Sequence, residues 1–122
     1  MSMILVIDDS EVIRALLTDY LTDMGHDIET AEDGEEGLQK ALQGEWDLVI
    51  CDLHLPKRNG FEVMSGMGSQ RGSLPFIFTD SLPDHIHDQI AEKTDCPCLR
   101  KPFDLEQFRA VLHETLDRVK TT

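Results

Sequence analysis

The chain has 122 residues, with 24 Asp plus Glu against 11 Lys plus Arg and a formal net charge of −13. That length supports one domain, expected to occupy residues 1–122, and its 40% hydrophobic and 29% charged residues mark it as globular, not disordered. So acidic a surface repels phosphate backbones, which argues against direct nucleic-acid binding and suits divalent cations or basic protein partners.

No apolar run approaches the length needed to span a bilayer, and the N-terminus has no signal-peptide pattern. Three cysteines (Cys51, Cys96, Cys98) form no disulfide framework, so a cytoplasmic location is expected. The chain begins with an apolar run, Ile4 to Ile7, that ends abruptly in Asp8 and Asp9. A strand apolar on both faces belongs in a parallel sheet covered on both sides. Ser10 caps a helix predicted over Glu11 to Met24, with Ile13, Leu16, Leu17, Tyr20 and Leu21 as its inner stripe and Gly25 as its stop. "HDIETA" reads as a more exposed second strand, and a short helix follows from Glu35 to Gln43, stopped by Gly44.

"DLVICD" is the third strand and again ends in an acid, Asp52. A loop with Pro56 and Gly60 leads to a helical stretch from Phe61 to about Met67, weakened by Gly66, Gly68 and Gly72. "LPFIFTD" is the fourth strand, Pro83 opens a helix through about Thr94, and "CLRK" is the fifth strand. Asp104 and Gln107 form a capping-box pattern for the last helix, whose inner face is Leu105, Phe108, Val111, Leu112, Thr115, Leu116 and Val119. Strand and helix alternate throughout, which implies a doubly wound α/β fold: a five-stranded parallel sheet, order 2-1-3-4-5, with helices on both faces.

Right-handed crossovers bring every strand's C-terminal end to one edge, and ligands bind there where the strand order reverses, between strands one and three. Asp8 and Asp9 end the first strand and Asp52 the third, so their carboxylates crowd one pocket. Thr79 ends the fourth strand and Lys101 follows the fifth on the same edge. Carboxylates this close need a cation, and Mg²⁺ suits oxygen donors while keeping several waters. A hydroxyl, an ammonium and Mg²⁺ converging on a carboxylate are the parts of phosphoryl transfer, with Asp52 as candidate nucleophile for an aspartyl phosphate.

With these residues in place the sequence resembles the receiver domain of two-component response regulators, flavodoxin-like in fold and most like the single-domain chemotaxis regulators. The match rests on Asp8-Asp9, "DLHLP" from Asp52 to Pro56, Gly60, "PFIFT" ending at Thr79, and "KPF" from Lys101 to Phe103. The resemblance implies that a histidine kinase or histidine phosphotransfer protein donates a phosphoryl group to Asp52. It implies that Asp9, Asp52 and the backbone carbonyl of His54 hold Mg²⁺, with Asp8 acting through a bound water, and that Thr79 and Lys101 contact the phosphoryl oxygens. Movement of Thr79 then resets the face made by the helix over 83–94, the fifth strand and the last helix, which meets a downstream protein or output domain. Such a phosphoprotein is not an enzyme beyond its own phosphorylation and autodephosphorylation, and is expected as a monomer or weak dimer. It is expected to be either a single-domain regulator or an excised receiver.

Three positions depart from the family pattern. Asp80 stands where a small residue is usual, either beside the pocket mouth or capping the helix after Pro83. Cys98 replaces an aromatic, so the usual ring switch does not operate as such, and "TDCPC" lacks the usual Gly-Ala. Cys51 reads as a small core hydrophobe, while Cys96-Pro97-Cys98 and the His85/His87 pair read as structural or surface residues, not metal sites. A flavin binder would need a Ser/Thr/Gly-rich loop after strand one, and a haloacid-dehalogenase-type phosphatase a D-x-D there; neither is present. The remaining rival is a pseudo-receiver, an interaction module with phosphorylation lost or marginal.

Overall fold

The computed structural model describes residues 2–80 and 96–120. The helix expected over 83–94, with His85, His87 and the segment that Asp80 or Ser81 was expected to cap, lies outside them. Five parallel strands, β1 (Met3–Ile7), β2 (Asp27–Ala31), β3 (Leu48–Asp52), β4 (Phe76–Asp80) and β5 (Cys98–Arg100), form one sheet in the order β2-β1-β3-β4-β5. Four α-helices are described: α1 (Glu11–Asp23), α2 (Gly34–Gln43), α3 (Gly60–Gly66) and α4 (Leu105–Lys120), with a 3-10 turn at Gly68–Arg71.

Successive strand residues face opposite sides of a sheet, and the core divides accordingly. Ile4, Val6, Leu48, Ile50, Ile77 and Leu99 pack with Leu17 and Leu21 of α1 and Phe108, Leu112 and Leu116 of α4. Leu5, Ile7, Val49, Cys51, Phe76 and Phe78 pack on the other side with Ala41 of α2 and Val63 of α3. β1 and β3 are central and buried on both faces, which is why they read as unbroken apolar runs. β2 lies at an edge, so Asp27 and Glu29 reach solvent while Ala31 is buried.

The helix ends follow local chemistry. Ser10 accepts the Ile13 N–H at the start of α1. At its end the His26 N–H bonds the Leu21 carbonyl and the Gly25 N–H the Thr22 carbonyl, with Gly25 at φ 92°, a left-handed closure that glycine adopts without cost. The spacing places Leu16 in the inner stripe of α1, but it is 44% exposed. The buried arc runs through Leu17 and Leu21, with Ile13, Tyr20 and Met24 packed against it, and Leu16 falls outside that arc. Asn59 and Glu62 form a reciprocal capping box that starts α3 despite its glycines. Phe108 anchors α4, stacked on Phe103 and edge-on to Tyr20, whose hydroxyl donates to the Leu105 carbonyl. Phe108→Ala would cost about 3–5 kcal/mol.

Candidate functional site

The same alternation that splits the core also builds the site. Continuing Ile4–Val6 leads to Asp8, Leu48–Ile50 to Asp52, Ile77 to Thr79, and Leu99 to Lys101. All four therefore leave the C-terminal edge of the sheet on the side of α1 and α4. Thr79 is the register partner of Asp52 and of Leu99, which places it between Asp52 and the start of the Lys101 segment.

Lys101 Nζ donates to Asp8 Oδ2 at 2.8 Å and to Asp52 Oδ2 at 3.1 Å. The second oxygens are also engaged: Asp8 Oδ1 accepts the Ser10 N–H at 2.9 Å, and Asp52 Oδ1 the His54 N–H at 3.1 Å. Asp8, Asp52 and Thr79 are buried, whereas Asp9 and the His54 side chain are exposed. One carboxylate oxygen from each of Asp8, Asp9 and Asp52 lies within 4.8 Å of the others.

Burial lifts the Asp52 carboxyl above its ordinary pKa, and the Asp8 charge adds to that; the Lys101 ammonium and the His54 N–H pull the other way without cancelling it. Burial would lower Lys101, but its hydrogen bonds and the charges of Asp8 and Asp52 outweigh this and hold its pKa up. The Cys51 thiol, next to Asp52 in sequence, is pushed up mainly by burial and stays protonated inside the core. Three carboxylates facing one ammonium leave an excess of negative charge, and hard oxygen donors at this spacing fit a small divalent cation such as Mg²⁺.

The sequence matches the response regulator receiver domain family over residues 4–113. The chain belongs to that family. Among curated relatives, the response regulator ArlR of Staphylococcus aureus is 33% identical over 120 residues, covering 97% of this chain and 54% of the relative. The receiver domain thus spans about half the length of the curated relatives it matches. Among solved structures, a CheY-like receiver domain protein from Methanospirillum hungatei superposes with a TM-score of 0.89 at 21% identity, covering 99% and 98% of the two chains. Response regulator TrrA from Thermotoga maritima, solved in complex with Mg²⁺–BeF, gives 0.83 at 30% identity and covers 94% and 99%. Receiver domains are signalling modules of two-component systems, not enzymes turning over a separate substrate. Among the described residues no helix is long and apolar enough to cross a membrane.

The structure brings Asp8, Asp9, Asp52, Thr79 and Lys101 to one edge, as the motif spacing predicts. It corrects the pocket-mouth expectation for Asp80, while the helix it was expected to cap lies outside the described residues. The Asp80 side chain leaves β4 on the side opposite Thr79, with no exposed surface, and accepts a hydrogen bond from Cys98 Sγ at 2.8 Å. The pocket mouth is therefore excluded as its setting, because strand alternation turns it away from Thr79 and toward β5. Arg14 is a site neighbour with no sequence signal: Nη1 donates to the Asp8 carbonyl at 2.7 Å, and Nη2 lies 3.9 Å from Glu32. The Asn59-x-x-Glu62 box, which steadies the loop after Asp52, is legible from its spacing.

Proposed function

We propose that this receiver domain takes a phosphoryl group onto Asp52 from the phosphohistidine of a histidine kinase or histidine phosphotransfer protein. The observation that carries the reading is the doubly held Asp52 carboxylate, with Lys101 on one oxygen and two further acids beside it. An Asp52 oxygen attacks phosphorus as the phosphorus–nitrogen bond to the donor imidazole breaks, and the leaving nitrogen keeps the electron pair. Asp9, Asp52 and the His54 carbonyl would hold Mg²⁺, with Asp8 acting through a water; the ion would neutralise charge on the transferring oxygens. Lys101 turns its ammonium toward a phosphoryl oxygen, and the Thr79 hydroxyl meets another. The signal then passes to a downstream protein or output domain through the face that includes β5 and α4. A cytoplasmic setting suits a reduced thiol set of this kind.

The pseudo-receiver alternative drew on Asp80 and on Cys98 in place of an aromatic; the burial of Asp80 on the other face removes the first of these supports, and the second remains. Incubation with Mg²⁺ and acetyl phosphate followed by intact mass tests the proposal. The chain should gain one phosphoryl group, and Asp52→Asn and Asp52→Ala should gain none. A Mg²⁺-dependent gain retained in either variant would sink the assignment of Asp52.

A further inference from the structure

Asp80 is a carboxylate with no exposed surface, placed directly after Thr79. Burying a charge is unfavourable unless hydrogen bonds compensate. One donor is Cys98 Sγ, at 2.8 Å from Asp80 Oδ2, and the two residues lie on the sheet face carrying Phe76 and Phe78. A thiol is a weak donor, and at 2.8 Å it is well placed on the carboxyl oxygen. Burial, the hydrogen bond and the charges of Asp80 and Asp52 all push the Cys98 thiol pKa up, so its proton stays in place.

The main chain makes a second link: the Lys101 N–H donates to the Asp80 carbonyl. Asp80 thus ties β4 to β5 through both side chain and backbone. That matters because β5 is a three-residue edge strand held by three register pairs, Phe78↔Cys98, Thr79↔Leu99 and Asp80↔Arg100. The side-chain bond adds to those pairs across the junction. The residues on either side of it are Thr79 and Lys101, which emerge on the opposite face next to Asp52.

We infer that Asp80 and Cys98 are positioning residues, a hydrogen-bonded tie on the far face of the sheet that sets where Thr79 and Lys101 stand around Asp52. The inference rests on the proposed phosphoryl transfer but adds residues outside the pocket. Its test is the initial rate of phosphorylation by acetyl phosphate in saturating Mg²⁺, read by intact mass, alongside the amide resonances of Thr79 and Lys101. Cys98→Ala and Asp80→Ala should each slow the reaction about threefold to tenfold. Cys98→Ser, which keeps a donor, and Asp80→Asn, which keeps an acceptor, should stay within about twofold of the parent chain. The Asp80→Ala/Cys98→Ala pair should be no slower than the slower single variant, as expected for partners in one bond. Mg²⁺ affinity should be unchanged, because Asp8 and Asp9 follow β1 and Asp52 ends β3, away from the tie. The Thr79 and Lys101 amides should shift in Cys98→Ala and return in Cys98→Ser, a readout that does not require phosphorylation. A parent rate in Cys98→Ala, a faster Asp80→Ala, or unshifted amides would overturn the tie. A parent chain that takes up no phosphoryl group while its amides behave as stated would overturn the proposed function and leave the tie as geometry.

Discussion

Gly34 and Arg58 approach so closely that a Cβ on Gly34 would overlap the Arg58 carbonyl oxygen. The contact joins the start of α2 to the loop that follows Asp52, and the Gly34 N–H adds a bond to the Pro56 carbonyl at 3.2 Å. Gly34→Ala must push that loop away from α2, and His54 with it. The expected loss is about 1–3 kcal/mol of stability, with weaker Mg²⁺ binding by amide shifts around His54. A parent melting temperature in Gly34→Ala would show that the loop is free to yield.

Asp33 accepts the Glu36 N–H at 2.8 Å as the cap of α2, and its Oδ2 lies 3.6 Å from Lys57 Nζ. The capping bond first, and the Lys57 charge in support, hold its carboxyl below the usual value. A depressed folded-state pKa stabilises above the unfolded value and loses that contribution as pH falls through the folded one. Asp33→Ala should cost about 1 kcal/mol at neutral pH, a difference that narrows without vanishing below about pH 4 as the charge is lost, while Asp33→Asn retains most of the cap. Urea melts at several pH values provide the check.

Asp52 has the opposite sign. Its folded-state pKa is raised, so ionising it works against folding: the penalty is absent below the unfolded value of about 3.9 and complete once pH passes the raised folded one. Asp52→Asn should therefore raise stability at neutral pH by about 1 kcal/mol, with no gain near pH 3. Mg²⁺ should narrow the gap by stabilising the parent chain alone. A variant less stable than the parent at pH 7 would contradict the burial argument.

Lys101 is the ammonium shared by two buried acids. Lys101→Met leaves both without it and should cost about 2 kcal/mol, less than the ~3–5 kcal/mol of fully enclosed pairs because the lysine is partly exposed. The loss should shrink in an Asp52→Asn background, since only Asp8 then lacks its partner. Paired thermal melts of the single and double variants measure that coupling.

The fold was legible because β1 and β3 carry apolar residues on both faces and each stops at an acid, a pattern that a central parallel strand requires. The parallel order of the strands then requires Asp8, Asp52, Thr79 and Lys101 to meet at one edge of the sheet. What the sequence did not disclose depends on direction and close approach. Asp80 looks like a pocket residue because it follows Thr79, yet one step of strand alternation sends it to the far face. Leu16 fits the helical spacing but falls outside the buried arc. Nothing in the identity of Gly34 says which backbone it must admit, and Arg14 reaches a carbonyl that any long donor could have met.

The strand that comes first in the chain lies in the interior of the sheet: Ile4 pairs with Ile28 on one side and with Leu48 on the other. On a ribosome, Ile4 to Ile7 emerges early and waits for β3 to be made before its second edge is covered. Parallel pairings of this kind close long loops before any ladder bond forms, which slows folding and keeps an adhesive apolar edge open meanwhile. Nascent chains halted before Leu48 should therefore associate or recruit chaperones, and those extended past Asp52 should do so less.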